Sequence, residues 1–327
     1  MQIRLNWDQV LANIAAFHQE AHAVGRRVRP HVKGHRSSAV TAAQVARGST
    51  GIVAQTLEEA VYHASSTALR DVVIARPTTE TWRLARYVCQ KHRVEDLGTR
   101  VIVQVGDLDH VSDLIHLTAR DRGSLAVRLE LEGGAGRGLH RDALIRAAHL
   151  VTEAPGLSLD GVTTYWFPES QEQVDRWPDL VRVHAGRLTD VATTIRAERV
   201  ACPVVSFGGT VNASHLTGVS DIDEVTAGVY AFSDADTADR AGLTPALRLR
   251  ATEGELVEAC RDGGILSDCA HEWAPATPYR RSPGASALWV DVVPSHLCPL
   301  MTRDIEITVE GRGDLPVLRP ELHPDRP

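Results

Sequence analysis

The chain has no run of apolar residues near the ~20 that a membrane-spanning helix requires, so no membrane partner is expected. Its N-terminus, MQIRLNWDQVLANIAAF, carries charges and lacks an apolar core followed by a small-residue cleavage site, so no secretory leader is expected either. Cysteine is sparse. Cys89, Cys202, Cys260, Cys269 and Cys298 are odd in number and include no Cys-x-x-Cys pair, which predicts a reduced, cytoplasmic protein. Basic residues do not dominate: the formal net charge is -7. That favours neither a nucleic acid nor an anionic membrane as partner. The pairs Arg26–Arg27 and Arg280–Arg281 are too short to change this and read as solvated surface. There is also no Gly-x-Gly-x-x-Gly after the first predicted strand, which argues against a dinucleotide-binding sheet.

What is present is alternation. The 327 residues suffice for a large barrel with a small second domain, or for two ordinary domains. Short apolar runs predict strands at 27–32, 51–55, 72–76, 100–106, 124–131, 159–166, 203–209 and 224–232. Between them lie segments whose apolar residues recur at three- and four-residue steps, as in LEEAVYHASSTAL and ALIRAAHLVTEA. Thr56 and Thr79 are expected helix N-caps. Eight strand–helix repeats predict a parallel sheet closed into a TIM-like (β/α)8 barrel, with an open doubly wound sheet as the alternative. From about residue 245 the pattern becomes short, β-rich and punctuated by turns. The expected division is a barrel over 7–240 and a smaller β domain over 241–327, which QIRLNW at the N-terminus could join.

In such a barrel the chemistry sits at the C-terminal ends of the strands. Lys33 follows the first strand, Gln55 ends the second and Arg76 the third. Arg137 lies in the loop after the fifth, Tyr165 ends the sixth, and Ser206-Phe207-Gly208-Gly209-Thr210 ends the seventh. Gly228 and Tyr230 lie in the eighth. A Gly-Gly turn followed by a helix start can cradle a phosphate, most often after the late strands of a barrel. A lysine beside a phosphate cup suggests pyridoxal 5′-phosphate, with Arg36 or Arg137 as cations near the amine and Tyr165 or Trp166 packed near the ring. The plainer alternatives are a surface lysine and a core aromatic. Farther on, VPSHLCPL places His296 and Cys298 two residues apart, so that both can face one side. Imidazole and thiolate together suit Zn2+, and two ligands leave open positions.

Several of these pieces occur together in one family. RPHVKGHR resembles the Arg-Pro-His-x-Lys-x-His-Lys signature of the D-threonine aldolase and D-serine dehydratase group, pyridoxal-phosphate enzymes with the alanine-racemase type of barrel. The resemblance continues through IVAQTLEEA, APGLSLDGV, VSFGGT and EVTAGVYAFSD, and VVPSHLCPL is similar to the family's Pro-x-His-x-Cys/Asp-Pro metal segment. It implies that Lys33 forms the Schiff base, that Arg137 lies near the cofactor's 3′-oxygen and that Tyr165 lies near its ring. It further implies that Ser206, Gly208, Gly209, Thr210, Gly228 and Tyr230 hold or shape the phosphate site. His296 and Cys298 would bind a divalent metal, with Zn2+ favoured by the thiolate. The implied activity is that of a lyase on a β-hydroxy-D-amino acid: D-serine dehydratase-like, with retro-aldol cleavage to glycine and an aldehyde as the alternative. The implied assembly is a homodimer. A non-catalytic pyridoxal-phosphate carrier is the non-enzyme alternative, and the β-rich segment with its His-x-Cys argues against it. Three segments depart from the family pattern: EGGAGRGLH around Arg137, TYWFPES after the sixth strand, and CRDGGILSDCAHEW in the C-terminal part. They leave the substrate and the choice of reaction open.

Overall fold

Strand β1 (Gln2–Asn6) leads directly into helix α1 (Trp7–Ala23), whose N-cap Asn6 accepts the Gln9 N–H. The helix buries Val10, Ile14, Phe17 and Ala21, which recur at helical spacing. The structure, a computed structural model, describes residues 1–75, 90–121, 124–134, 136–261, 266, 279–282, 288–298, 300–302 and 305–310. The expectations for Arg76 and Thr79, and nearly all of CRDGGILSDCAHEW, lie outside the described residues.

Eight parallel strands follow, interleaved with helices. They are β2 (Arg27–Pro30), β3 (Gly51–Ala54), β4 (Asp71–Ile74), β5 (Arg100–Val105), β6 (Leu125–Leu131), β7 (Leu157–Tyr165), β8 (Val204–Gly208) and β9 (Glu224–Ala227). The order around the sheet is β2-β9-β8-β7-β6-β5-β4-β3, and a bridge between His31 and Val53 joins the two ends. The sheet is therefore a barrel, as the eightfold alternation implied. The helices between the strands include α2 (Ser38–Val45), α3 (Leu57–Ser66), α4 (Leu108–Asp121), α5 (Arg141–Glu153), α6 (Gln171–Asp175), α7 (Trp177–Ala197), α8 (Thr210–His215) and α9 (Ala235–Ala241). Thr56 caps α3 by accepting the Glu59 N–H.

The strands read as near-continuous apolar runs because both their faces are covered. The outward residues, such as Val72, Ile74, Val101 and Val103, pack with the helices in one large core. The inward residues Val53, Val73, Ile102 and Ala126 form a separate small cluster inside the barrel. Polar inward residues are paired. Arg29 bonds Asp71 and Glu224, and Arg128 bonds Glu224 at 2.6 Å and Asp160 at 2.7 Å. Glu224 is fully buried. Burial opposes its charge, but Arg128 and Arg29 outweigh that and hold its pKa down at about 2. The β6–β7 register shifts between Val127 and Arg128, and Asp160 falls at this irregularity, where it reaches Arg128.

A second sheet of five strands runs in the order β11-β12-β10-β1-β13. It uses β10 (Leu247–Ala251), β11 (Tyr279–Arg281), β12 (Val290–Pro294) and β13 (Ile307–Glu310), with helix α10 (Glu253–Ala259) after β10. Strand β1 pairs antiparallel with β10 and parallel with β13. The first strand of the chain thus belongs to the second sheet, and β12 carries the His-x-Cys segment back to the barrel mouth.

Candidate active site

Strand β2 ends at Pro30, and residues Val32–Gly34 turn in a single 3-10 step that presents Lys33. His31 caps this turn, its Nδ1 facing the Lys33 N–H at 3.5 Å. The turn rests on the end of β9: a Cβ on Gly34 would lie 2.5 Å from the Gly228 carbonyl oxygen. Only glycine permits that approach, so Gly34 sets the depth at which Lys33 stands.

Lys33 opens into a cleft of about 1000 Å3 at the C-terminal ends of the strands. The same cleft is lined by Arg137, Tyr165, Gly208, Gly209, Thr210, Gly228, His296 and Cys298. Ser206 and Tyr230 are not among its lining residues. Ser206 is fully buried one layer below, its hydroxyl 3.2 Å from that of Thr226, which does line the cleft. The Tyr230 side chain points away from the cleft. It stacks on Phe17 of α1 at 4.4 Å and bonds His18 Nε2 at 2.9 Å, because the 3-10 turn Val229–Ala231 directs it outward. Of the two aromatic candidates for the ring, Tyr165 is in the cleft, whereas Trp166 is buried against His184 at 5.0 Å. Arg36 pairs with Gln55 and Glu59.

The Gly-Gly turn has a specific job. Gly209 has φ of 116°, and a Cβ there would fall 2.5 Å from Asn212 Nδ2. Asn212 ties the turn together by donating to the Trp166 and Gly208 carbonyls and accepting from Trp177 Nε1. The Gly209 N–H is committed to the Thr226 carbonyl at 2.7 Å. The Thr210 hydroxyl, by contrast, is buried and has no partner among the described residues. A buried hydroxyl without a partner is costly. At the rim of the cleft, directly after the Gly-Gly turn, it fits an anionic oxygen supplied by a ligand.

Arg137 is fixed from below. Its guanidinium meets Glu130 Oε1 at 2.9 Å, Glu130 Oε2 accepts from Gln104 Nε2 at 2.9 Å, and the guanidinium lies 5.8 Å over the Tyr165 ring. Glu130 and Gln104 were not singled out in the sequence. The signal for them was there: Gln104 in RVIVQV and Arg128 and Glu130 in LAVRLEL are polar residues at two-residue spacing in apolar strands, which places them inside the barrel.

In the same cleft, His296 donates through Nδ1 to Asp234 Oδ2 at 3.2 Å. Asp234 also accepts the Leu297 and Thr237 N–H groups, so it fixes both the His296 segment and the start of α9. Burial opposes charge on His296, yet the adjoining Cys298 and the bond to Asp234 raise its pKa to about 10. Burial likewise opposes ionisation of Cys298, but His296, with Lys33, lowers its thiol below the ordinary value. Imidazole and thiolate are thus adjacent and oriented, the donor set that suits zinc once the ion displaces the imidazolium proton. Among the described residues no set of three or more metal-donor side chains is assembled. A divalent ion held by this pair would keep open positions for water or substrate.

Residues 5–236 match the model of the alanine racemase N-terminal domain. The chain belongs to that family. It is 31% identical to a D-threo-3-hydroxyaspartate dehydratase from Delftia sp. (strain HT23) over 240 residues, covering 70% of this chain and 60% of the relative. It is 28% identical over 238 residues to a 3-hydroxy-D-aspartate aldolase from Paracoccus denitrificans (strain Pd 1222), covering 71% of this chain and 60% of that relative. The matched part thus spans 60% of the length of each of these curated relatives. In three dimensions it resembles a D-threonine aldolase from Filomicrobium marinum, with a TM-score of 0.75 and 20% identity over 95% of this chain and 91% of that one. The structural likeness covers both sheets, so the family barrel and the second sheet occur here together.

Proposed function

We propose that this protein is a pyridoxal-phosphate- and metal-dependent lyase acting on a β-hydroxy-D-amino acid, with dehydration to a keto acid and ammonia as its reaction. One observation carries the reading: a single cleft holds the Lys33 amine, the Thr210 hydroxyl that has no partner among the described residues and follows the Gly-Gly turn, and the oriented His296–Cys298 pair. The relatives named for activity on 3-hydroxyaspartate support it.

When bound, pyridoxal phosphate supplies an aldehyde for an amine and a ring that accepts an electron pair, and a divalent ion supplies Lewis acidity for a departing hydroxyl. The residues then divide the work. Lys33 would hold the cofactor, and its Nζ is the group placed to take the Cα proton of the amino acid. Gly208, Gly209 and Thr210 receive the phosphate end. Arg137, held by Glu130, lines the cleft beside Tyr165. His296 and Cys298 would hold the metal ion, and Asp234 keeps the imidazole turned toward it. The thiolate favours zinc and with it the dehydratase outcome. The aldolase outcome uses the same residues, and the similarity to a 3-hydroxy-D-aspartate aldolase keeps it as the second reading.

Purified protein supplied with pyridoxal phosphate and zinc should convert D-serine or 3-hydroxy-D-aspartate to a keto acid and ammonia, and lose that activity in a chelator. Glycine and an aldehyde from D-threonine or 3-hydroxy-D-aspartate would instead establish the aldolase. Full activity after exhaustive chelation would overturn the role of His296 and Cys298.

A further inference from the structure

The cleft contains a polar side chain that the scheme above leaves unused, and its orientation is imposed by a neighbour. Gln55 stands at the end of β3, one strand from Lys33, where the His31–Val53 bridge closes the barrel. Its Oε1 accepts from Arg36 Nη2 at 3.2 Å. A guanidinium only donates, so the amide oxygen must face Arg36 and the Nε2 group must face away from it. Arg36 is itself fixed. It is nearly buried, has φ of 51° in the turn after Lys33, and lies 3.7 Å from Glu59 Oε1. Glu59 Oε2 in turn accepts the Gln55 backbone N–H at 2.8 Å. Two side chains, Arg36 and Glu59, thus hold one amide in one rotation, and its two N–H donors have no protein partner among the described residues.

From this we infer that Gln55 is a ligand-contacting residue, presenting its amide N–H groups to an acceptor oxygen of what is bound at Lys33, with Arg36 as its positioning residue. The inference rests on the pyridoxal-phosphate reading. The phosphate cradle lies on β8 and the helix after it, on the other side of Lys33 from β3. The acceptor is therefore an oxygen remote from the phosphate: the α-carboxylate of the amino acid or the ring oxygen of the cofactor.

The test uses Gln55→Glu in the full chain. The replacement keeps the shape and gives Arg36 a stronger acceptor, but turns the donors into acceptors. Cofactor affinity is read by absorbance titration with pyridoxal phosphate, and KM and kcat are read separately. If the oxygen is the substrate's, KM rises about tenfold or more while cofactor affinity is unchanged. If it is the cofactor's, the affinity for pyridoxal phosphate falls by a similar factor. Arg36→Met should reproduce part of the effect, and should add nothing in a Gln55→Leu background. Unchanged cofactor affinity and unchanged KM in Gln55→Glu would overturn the inference while leaving the function intact. Failure of the unmodified protein to bind pyridoxal phosphate would remove both.

Discussion

Lys33 is one of two lysines in the chain, against an abundance of arginine. The other, Lys91, is buried and paired with Glu95 at 2.9 Å. The scarcity is a sequence signal that sharpens the strand-end argument, because a lysine kept where arginine is otherwise used points to amine chemistry rather than charge. At this scale most of the cleft was legible. Lys33, Arg137, Tyr165 and the Gly208–Thr210 turn stand at strand ends, and strand ends follow from periodicity. What was hidden are the contacts across the barrel. Asp234 meets His296 from 62 positions away, and no local pattern announces such a pair. Tyr230 was misplaced for a related reason: a 3-10 turn after β9 breaks the two-residue alternation that would have aimed it inward. Gly34 provides the residue-scale test. A methyl group there meets backbone, not a flexible side chain, so Gly34→Ala should cost about 1–3 kcal/mol in an unfolding titration and weaken retention of pyridoxal phosphate. Gly186→Ala, on the exposed face of α7 with open space around it, should be neutral or stabilising by the same measurement.

At the scale of elements, strands β2, β4, β6, β7 and β9 are joined by charge as well as by backbone bonds. The sequence shows why this was only half readable. DVVI, LAVRLEL and EVTA each carry one or two charges in a buried strand, which marks them as inward-facing, but the partners come from different strands. Arg29, Arg128 and Glu224 are each almost completely buried, and removing the Glu224 charge takes one of its two carboxylate partners from each buried guanidinium. Glu224→Gln should therefore destabilise the protein by about 3–5 kcal/mol in denaturant unfolding, with no change in the cofactor's absorbance at saturation. A loss below about 1 kcal/mol would place the pairs in the class of surface bridges.

The molecule as a whole buries three neutral histidines around the back of the Lys33 turn. Burial lowers the pKa of His18 to about 4, of His35 to about 3 and of His63 to about 3, each from an ordinary 6.5. The sign follows directly. Their folded pKa values lie below the unfolded ones, so the unfolded chain binds more protons once the pH drops below 6.5. Their contribution is full above that pH and is lost as the pH falls toward 3–4, at up to about 1.4 kcal/mol per pH unit for each group. Glu224 behaves the same way over a lower range, its stabilisation being lost between 4.5 and about 2. Stability measured by denaturant unfolding should thus decline from pH 6.5 downward, before Glu224 titrates, with part of the decline offset by Asp236, whose pKa burial and Asp234 raise to about 6. A flat profile down to pH 5 would contradict the burial of these rings.

The barrel was readable because its eight strands repeat one pattern, and the second sheet was readable only as a change of pattern, since β1 joins it from the far end of the chain. The account turns on the single amine at the mouth of that barrel. With two lysines in the chain, the decisive measurement is simple: load the protein with pyridoxal phosphate, reduce it with borohydride, and locate the modified residue by peptide mass spectrometry. The account predicts the cofactor on Lys33 and none on Lys91. Modification at Lys91, or at neither lysine, would contradict it.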